Sequence, residues 1–119
     1  MSDEALRQRI GAAAEELAAR HLLGHGLSIV ERNFRVRGGE IDLIAKDART
    51  LVFVEVRLRS RSDFGGASAS ITYKKQQRLI LAAQHYLQTH GEQACRFDAV
   101  LLDALDPKSI EWIKGAFSA

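Results

Sequence analysis

The stretch EIDLIAKDARTLVFVEVRL, residues 40–58, decides the fold, because apolar side chains alternate along two runs that the polar segment KDART separates. This pattern predicts a β-hairpin with strands over 40–45 and 51–58. Alternation places on one face a wholly apolar set that is expected in the core: Ile41, Leu43, Ala45, Val52, Val54, Val56 and Leu58. The opposite face is apolar near the turn and ionisable at the far end: Glu40, Asp42, Ile44, Leu51, Phe53, Glu55 and Arg57.

The register of the hairpin decides what its ionisable residues can do. With the turn centred between Ala48 and Arg49, Asp42 falls opposite Glu55. Two carboxylates about 5 Å apart repel by roughly 3 kcal/mol near a protein surface, and a hard cation such as Mg²⁺ would compensate that repulsion. The alternative is a structural ion-pair ladder in which Arg57 faces Glu40 and reaches diagonally to Asp42. Geometry alone does not choose between the two.

Helices are predicted on both sides of the hairpin in the chain. Residues 3–25 are rich in alanine and leucine and end between two glycines, and apolar residues recur at helical spacing over 71–90. Further strands are predicted over 27–36, 96–103 and 110–114, and a flexible loop that could close over a ligand is predicted over 60–70. The order α-β-β-β-α-β-β predicts an α/β fold with a central mixed sheet flanked by helices.

Length and composition favour a single domain. The 119 residues, 46% of them hydrophobic, suffice for one core, so we expect a domain over residues 1–119 with fraying at 1–2 and 116–119. The sequence contains neither a long apolar run nor a signal-peptide pattern, which predicts a cytoplasmic protein with no membrane partner. The lone Cys95 cannot form an internal disulfide and is expected to be buried.

Two helical residues could join the carboxylates of the hairpin. Glu15 has only glycine and alanine at its helical neighbours, so it could approach the sheet as a third metal ligand, although an exposed glutamate is the commoner case. Its neighbour Glu16 has Arg20 four residues later, as in an exposed ion pair. Lys75 continues the apolar line of the second helix and either points its ammonium at the edge of the site or lies along the surface.

Several separated motifs together carry a family resemblance. They are Gly11 with Glu15 and Ala18, Glu31-Arg32-Asn33, Gly39 to Ile44, Phe53 to Val56, Lys75 with Arg78, and Arg96-Phe97-Asp98. In this order they resemble the YraN-like family of uncharacterised bacterial proteins, over nearly the whole chain up to about Leu102. The fold of that family is similar to restriction endonucleases and archaeal Holliday-junction resolvases.

The resemblance implies a metal-dependent DNA endonuclease that acts on branched or damaged DNA, with Glu15, Asp42 and Glu55 as acidic ligands of Mg²⁺ or Mn²⁺. The carbonyl of Val56 could assist them. The resemblance also implies a lysine at position 57, where this chain has Arg57. Arginine can stabilise developing negative charge or clamp a phosphate but is a poor proton acceptor. The alternative is therefore a nucleic-acid-binding module whose catalysis is weakened or lost.

Basic residues alternate along the strand that leaves the carboxylates, and others lie nearby. Those expected to contact nucleic acid are Arg35, Arg37, Arg57, Arg59, Arg61, Lys74, Lys75 and Arg78. Such a strip would favour phosphate backbones through counterion release, whereas a solvated charged strand end is the alternative for any one residue. The net charge of +2 does not by itself indicate nucleic acid. A homodimer is expected only by analogy with the resolvases.

Overall fold

Two long helices and five strands make up the part of the chain, residues 2–59 and 71–119, that the computed structural model describes. The elements are α1 (Asp3–Gly24), β1 (Ser28–Val36), β2 (Gly39–Asp47), β3 (Thr50–Leu58), α2 (Tyr73–His90), β4 (Cys95–Leu102) and β5 (Ile110–Phe117). The predicted α/β order is confirmed and is that of a restriction endonuclease-like fold. The loop predicted over 60–70 lies outside the described residues.

Hydroxyl groups explain where the two helices begin, and a glycine explains where α2 ends. The hydroxyl of Ser2 accepts a hydrogen bond from the Ala5 N–H at 3.1 Å, and Thr72 does the same for the Lys75 N–H at 3.2 Å. Each hydroxyl satisfies a backbone donor that has no partner within the first turn. α2 ends before Gly91, whose φ of 96° a residue with a side chain rarely adopts. No described helix is long and apolar enough to cross a lipid bilayer.

The strands lie side by side in the order β1-β2-β3-β4-β5, and this mixed sheet agrees with the prediction. β1, β2 and β3 pair antiparallel in succession, β3 and β4 pair parallel, and β5 pairs antiparallel with β4. A parallel pair needs a crossover between its strands, and that connection includes α2. The strand that carries Glu55 is therefore central, with a helix after it that returns across the sheet.

The β2–β3 register is the predicted one. Paired positions run from Asp47–Thr50 next to the turn to Leu43–Val54. Ala48, in the turn, has a φ of 54°. The ladder ends at Leu43–Val54, one step before the position at which Asp42 and Glu55 would face each other as a regular pair.

Helices cover both faces of the sheet. The core on the α1 side contains Ala14, Ala18, Ala19, Leu22, Leu43, Ala45, Val52 and Val54. The core on the α2 side contains Ile41, Ile44, Phe53, Leu79, Ala82, Ala83 and Tyr86. The two clusters confirm most of the alternation predicted for the hairpin.

Three predictions about burial were wrong. Ile41 packs on the α2 side with Ile44 and not on the α1 side with Leu43, because the regular alternation of β2 is interrupted at Asp42. Leu58 is 36% exposed, since it lies at the end of β3. Cys95 is exposed at the first position of β4.

The first and last elements, α1 and β5, reach close to both ends of the described chain, and fraying at 1–2 and 116–119 stays a prediction. Ser2 caps α1, and β5 continues through Ala116 to Phe117. The ring of Phe117 stacks on that of Phe97 with 5.0 Å between the centroids. Aromatic packing of this kind favours an ordered strand end.

α2 rests directly on the first residue of β2. A Cβ atom added to Gly39 would lie 2.5 Å from the carbonyl oxygen of Arg78 and 3.1 Å from the backbone nitrogen of Ala82. Only a residue without a side chain permits this approach of helix to strand. The contact brings the first half of α2 over the strand ends that carry the acidic residues.

Candidate metal and nucleic-acid site

Asp42 lies where β2 and β3 cease to pair. Its Oδ2 accepts a hydrogen bond from the Val56 N–H at 2.8 Å, so the side chain binds a backbone group of the neighbouring strand. Burial raises the pKa of Asp42 to about 8, with a further contribution from the charge of Glu55. The influence of Glu55 on this pKa agrees with the predicted proximity of the two carboxylates.

Glu55 is the second carboxylate and is almost fully buried, with 8% of its surface exposed. Burial raises its pKa, and the ammonium of Lys75 opposes that rise. Lys75 Nζ lies 3.5 Å from Glu55 Oε1. Of the two positions weighed for Lys75, the ammonium is therefore at the edge of the site.

Glu15 approaches the same region from α1. Burial raises its pKa, while a hydrogen bond from the Asn33 side chain lowers it. The charge of Glu15 in turn contributes to the raised pKa of Asp42. Glu15 is thus half-buried beside the strands and not fully exposed on an alanine surface, whereas Glu16 forms the expected ion pair with Arg20 at 3.2 Å.

Asn33 belongs to one of the motifs behind the family resemblance, but it was not predicted to lie at the site. It lies in β1 between the pairs Arg32–Leu43 and Phe34–Ile41, across from Asp42, and has a φ of 52°. A left-handed residue inside a strand turns the local backbone, and here the turn coincides with the lost alternation at Asp42. The sequence did carry a signal for this irregularity. An asparagine, which tolerates the left-handed conformation better than most residues, interrupts a run of branched and aromatic residues.

Glu40 was assigned to an ion-pair ladder but not to the site. Its carboxylate lies 3.6 Å from Arg35 Nε and 4.0 Å from Arg78 Nη2. Its charge also raises the pKa of Asp42 and Glu55. The sequence could have indicated that Glu40 belongs to the site, because it lies two residues before Asp42 and such residues share one face of a strand.

Glu40, Glu55 and Glu15 border two openings, neither of which Asp42 lines. A cavity of about 40 Å³ is lined by Glu40, Glu55, Lys75 and Arg78, and it has space for an ion or a few water molecules. A wider groove of about 370 Å³ is lined by Gln8, Gly11, Ala12, Glu15, Asn33 and Arg35. The cavity adjoins α2 and the groove adjoins α1.

The predicted basic residues have different surroundings. Arg35, Arg78 and Lys75 surround the carboxylates, and Arg57 is close enough to lower the pKa of Glu55. Lys74 and Arg37 are exposed. Arg59 instead binds Asp103 at 3.0 Å and Glu111 at 3.1 Å, with 15% of its side chain exposed. Arg61 lies outside the described residues.

The two neighbouring carboxylates are oxygen donors of the kind that bind a small divalent cation. Glu55 is buried and Asp42 is half-buried, and the charge of Glu55 makes the ionised form of Asp42 unfavourable. Carboxylate oxygens are the ligands that Mg²⁺ and Mn²⁺ prefer. Within residues 2–59 and 71–119, no group of three or more histidine, cysteine or acidic side chains is arranged to hold a metal. The fit therefore rests on two carboxylates, and Glu15 as a third ligand stays a prediction.

The fold and the acidic residues define an α/β protein of restriction endonuclease-like architecture with two neighbouring carboxylates, one buried and one half-buried, where two central strands separate. The chain belongs to UPF0102, an uncharacterised protein family whose model matches residues 14–102, which confirms the family predicted from the motifs.

Curated relatives of the same family support this assignment. A UPF0102 protein of Dechloromonas aromatica is 63% identical over 92% of this chain and 88% of its own length. Another, of Methylobacillus flagellatus, is 55% identical over 94% of this chain and 99% of its own length. A third, of Nitrosomonas europaea, is 54% identical over 90% of this chain and 92% of its own length. The similarity therefore covers almost the whole of these relatives.

Proposed function

We propose that this chain is a divalent-metal-dependent DNA endonuclease that hydrolyses phosphodiester bonds in branched or damaged DNA. The observation that carries the proposal is the neighbouring carboxylates of buried Glu55 and half-buried Asp42, in which the pKa of Asp42 is raised to about 8. A folded protein retains such an unfavourable pair only when other interactions compensate it, and ionisable groups with strongly shifted pKa values concentrate at functional sites.

Asp42 and Glu55 would hold Mg²⁺ or Mn²⁺, with the Val56 carbonyl and Glu15 as further oxygen donors. The bound ion would make water a better nucleophile and offset the negative charge of the phosphate. Asp42 accepts a hydrogen bond from the Val56 N–H, which orients its carboxylate and leaves its second oxygen for the metal. The burial of Glu55 keeps bulk water away from its carboxylate and so strengthens the charge interactions around it.

Two arginines near Glu40, one at each of the two openings, support a nucleic-acid substrate. Arg35 lies on the β1 side of Glu40, and Arg78 lies on the α2 side. Their side chains are 71% and 49% exposed, so both guanidinium groups can reach a phosphate backbone. Arg57 would stabilise charge at the phosphate. Contacts of this kind read the backbone and shape of DNA more than its bases.

A DNA substrate also accounts for the proposed partners and location. Such a protein would work in the cytoplasm of a bacterium, where the chromosome lies. Two copies, each acting on one strand of a branched duplex, would explain a homodimer with twofold symmetry.

Calorimetric titration with Mg²⁺ and Mn²⁺ tests the metal site directly. The unaltered chain should bind both ions, and Asp42→Ala or Glu55→Gln should abolish binding because each removes one of the two principal carboxylate ligands. Glu92→Gln is the matched control, since Glu92 is an exposed acid outside the site. If neither ion binds the unaltered chain, the metal-dependent activity is refuted.

Incubation with linear, single-stranded and four-way DNA in the presence of Mn²⁺ tests the reaction. The expected result is cleavage of branched DNA that is lost in the Asp42 and Glu55 variants. If the protein binds metal but leaves all of these DNA substrates uncut, the proposed nuclease activity is refuted.

A second candidate is a nucleic-acid-binding module with weakened or lost catalysis. Arg57 favours it, because arginine occupies the position at which the resemblance implies a lysine. Arg57→Lys tests the difference. Gain of cleavage in this variant would show that Arg57 limits the reaction.

A further inference from the structure

We propose that Lys75 is an internal counter-ion that must leave Glu55 before a divalent cation binds there, and that a DNA phosphate draws it away. Metal and DNA would then strengthen each other's binding through one side chain. The inference rests on the proposed function and adds to it an ordered use of the two ligands. The observation behind it is the contact of 3.5 Å between Lys75 Nζ and Glu55 Oε1.

Lys75 and a divalent cation would compete for the same oxygens. The Glu55 side chain is only 10% exposed, so solvent can replace little of the charge that Lys75 supplies. The cavity next to it is about 40 Å³ and is also lined by Arg78. The Lys75 ammonium and a metal ion bound at Glu55 would lie close together beside a mostly buried carboxylate, so the two cations would repel each other strongly. An ammonium held at Glu55 therefore disfavours the metal.

The Lys75 side chain is partly exposed, which gives it room to turn outward. It lies in the first turn of α2, where Thr72 holds its backbone N–H, and 45% of its side chain is exposed. Four methylene groups let the ammonium turn outward without movement of the helix. Exposed Lys74 and Arg78 lie on the same stretch of α2, so a phosphate attracted to this surface would offer Lys75 a second anionic partner.

Thermodynamic linkage turns this exchange into a measurable coupling. If a phosphate removes Lys75 from Glu55, DNA raises the affinity for metal, and metal raises the affinity for DNA by the same factor. We expect a factor of about five to ten, at the lower end of couplings between ligand sites. Replacement of Lys75 by a neutral residue removes the competitor and therefore the coupling.

The test is calorimetric titration of Mg²⁺ into the full chain, alone and saturated with a short DNA duplex, for the unaltered protein and for Lys75→Gln. A mildly alkaline buffer keeps proton competition at the carboxylates small in both proteins. Without DNA, Lys75→Gln should bind Mg²⁺ about five- to tenfold more tightly than the unaltered chain. With DNA, the two proteins should bind Mg²⁺ with similar affinity.

Two further variants separate this role from a general effect of charge. Lys108→Gln removes the same charge from an exposed residue in the connection between β4 and β5, and it should leave the coupling intact. Lys75→Arg keeps a cation at the site and should retain both the weak metal binding without DNA and the increase with DNA. Circular dichroism of each variant establishes that α2 is still formed.

The different failures are distinguishable. Absence of metal binding by the unaltered chain would overturn the proposed function and this inference with it. If the unaltered chain binds Mg²⁺ and DNA, but Lys75→Gln binds Mg²⁺ no more tightly or keeps the same coupling, the inference alone is overturned. Tighter Mg²⁺ binding in Lys108→Gln as well would attribute the gain to net charge and overturn the role of Lys75.

Discussion

Replacement of Asp42 by asparagine should make the protein more stable at alkaline pH, although it removes a residue of the proposed site. The asparagine side chain retains an oxygen that can accept the Val56 N–H, and it carries no charge. The ionised Asp42 is unfavourable because it is buried and lies near Glu55. Proteins commonly retain such an unfavourable group where function requires it.

The pKa of Asp42 sets both the sign and the size of the effect. An unfolded aspartate releases its proton near pH 3.8, whereas the folded chain keeps it until about pH 8. The folded state therefore binds more protons throughout this window, and its stability falls as pH rises from about 4 to 8. Each pKa unit corresponds to about 1.4 kcal/mol, so the loss approaches about 6 kcal/mol above pH 8. This is a large part of the stability of an ordinary domain, roughly 5–15 kcal/mol.

Urea unfolding of both proteins, followed by circular dichroism, measures this difference. The free energies of unfolding should be similar at about pH 4 and differ by several kcal/mol at about pH 9, with Asp42→Asn the more stable. Mg²⁺ at alkaline pH should stabilise the unaltered chain and reduce the gap. Glu92→Gln, which removes an exposed charge, should show no such growth with pH.

A gap that stays constant between acid and alkaline pH would refute the reasoning. It would mean that Asp42 ionises in the folded chain as it does in the unfolded one. The carboxylates would then be well solvated or well paired, and the argument for a compensating cation would lose its basis.

Other substitutions test the packing and the positions of side chains around the site. Gly39→Ala should cost about 2–3 kcal/mol in urea unfolding because its Cβ would meet the backbone of α2 at 2.5 Å, whereas Gly11→Ala, with nothing within 4 Å, should be neutral or stabilising by up to about 1 kcal/mol. Asn33→Gly should change stability by no more than about 1 kcal/mol, since glycine accepts the φ of 52°. It should also raise the pKa of Glu15 in an NMR titration, because the hydrogen bond that lowers this pKa is lost. Asp98→Asn should lower the free energy of unfolding by roughly 2 kcal/mol, because this fully buried carboxylate accepts hydrogen bonds from an arginine, the tryptophan ring and a backbone N–H. Normal stability in Gly39→Ala or Asp98→Asn, or an unchanged pKa of Glu15 in Asn33→Gly, would contradict the corresponding contact.

Much of the fold followed from patterns between neighbours in the chain. The hairpin turn at Ala48 and Arg49 was predicted from a polar segment between two apolar runs, and its register is the observed one. The helices and the order of elements followed from the spacing of apolar residues and, for α1, from the glycines at its end. Asp42 and Glu55 were selected because the predicted register places the two carboxylates opposite each other at the ionisable end of one hairpin face.

The same local patterns failed wherever the backbone departs from regular geometry. Ile41 was assigned to the wrong face because alternation assumes an uninterrupted strand, and β2 is irregular opposite the left-handed Asn33. Arg59 was predicted to extend a basic strip, yet its guanidinium lies between Asp103 and Glu111. These acids are 44 and 52 residues away in the chain, so no local pattern indicates them.

By itself the sequence determined the class of fold, the register of the central hairpin and the two acids at its end, because alternation, turns and helical spacing are properties of adjacent residues. Only the tertiary structure decided what surrounds those acids. The close approach at Gly39 brings α2 over β2, and Lys75 thereby reaches Glu55 across 20 positions of the chain. The physical reason is that burial and charge pairing depend on distances in space, which are set by packing between elements and not by spacing along one of them.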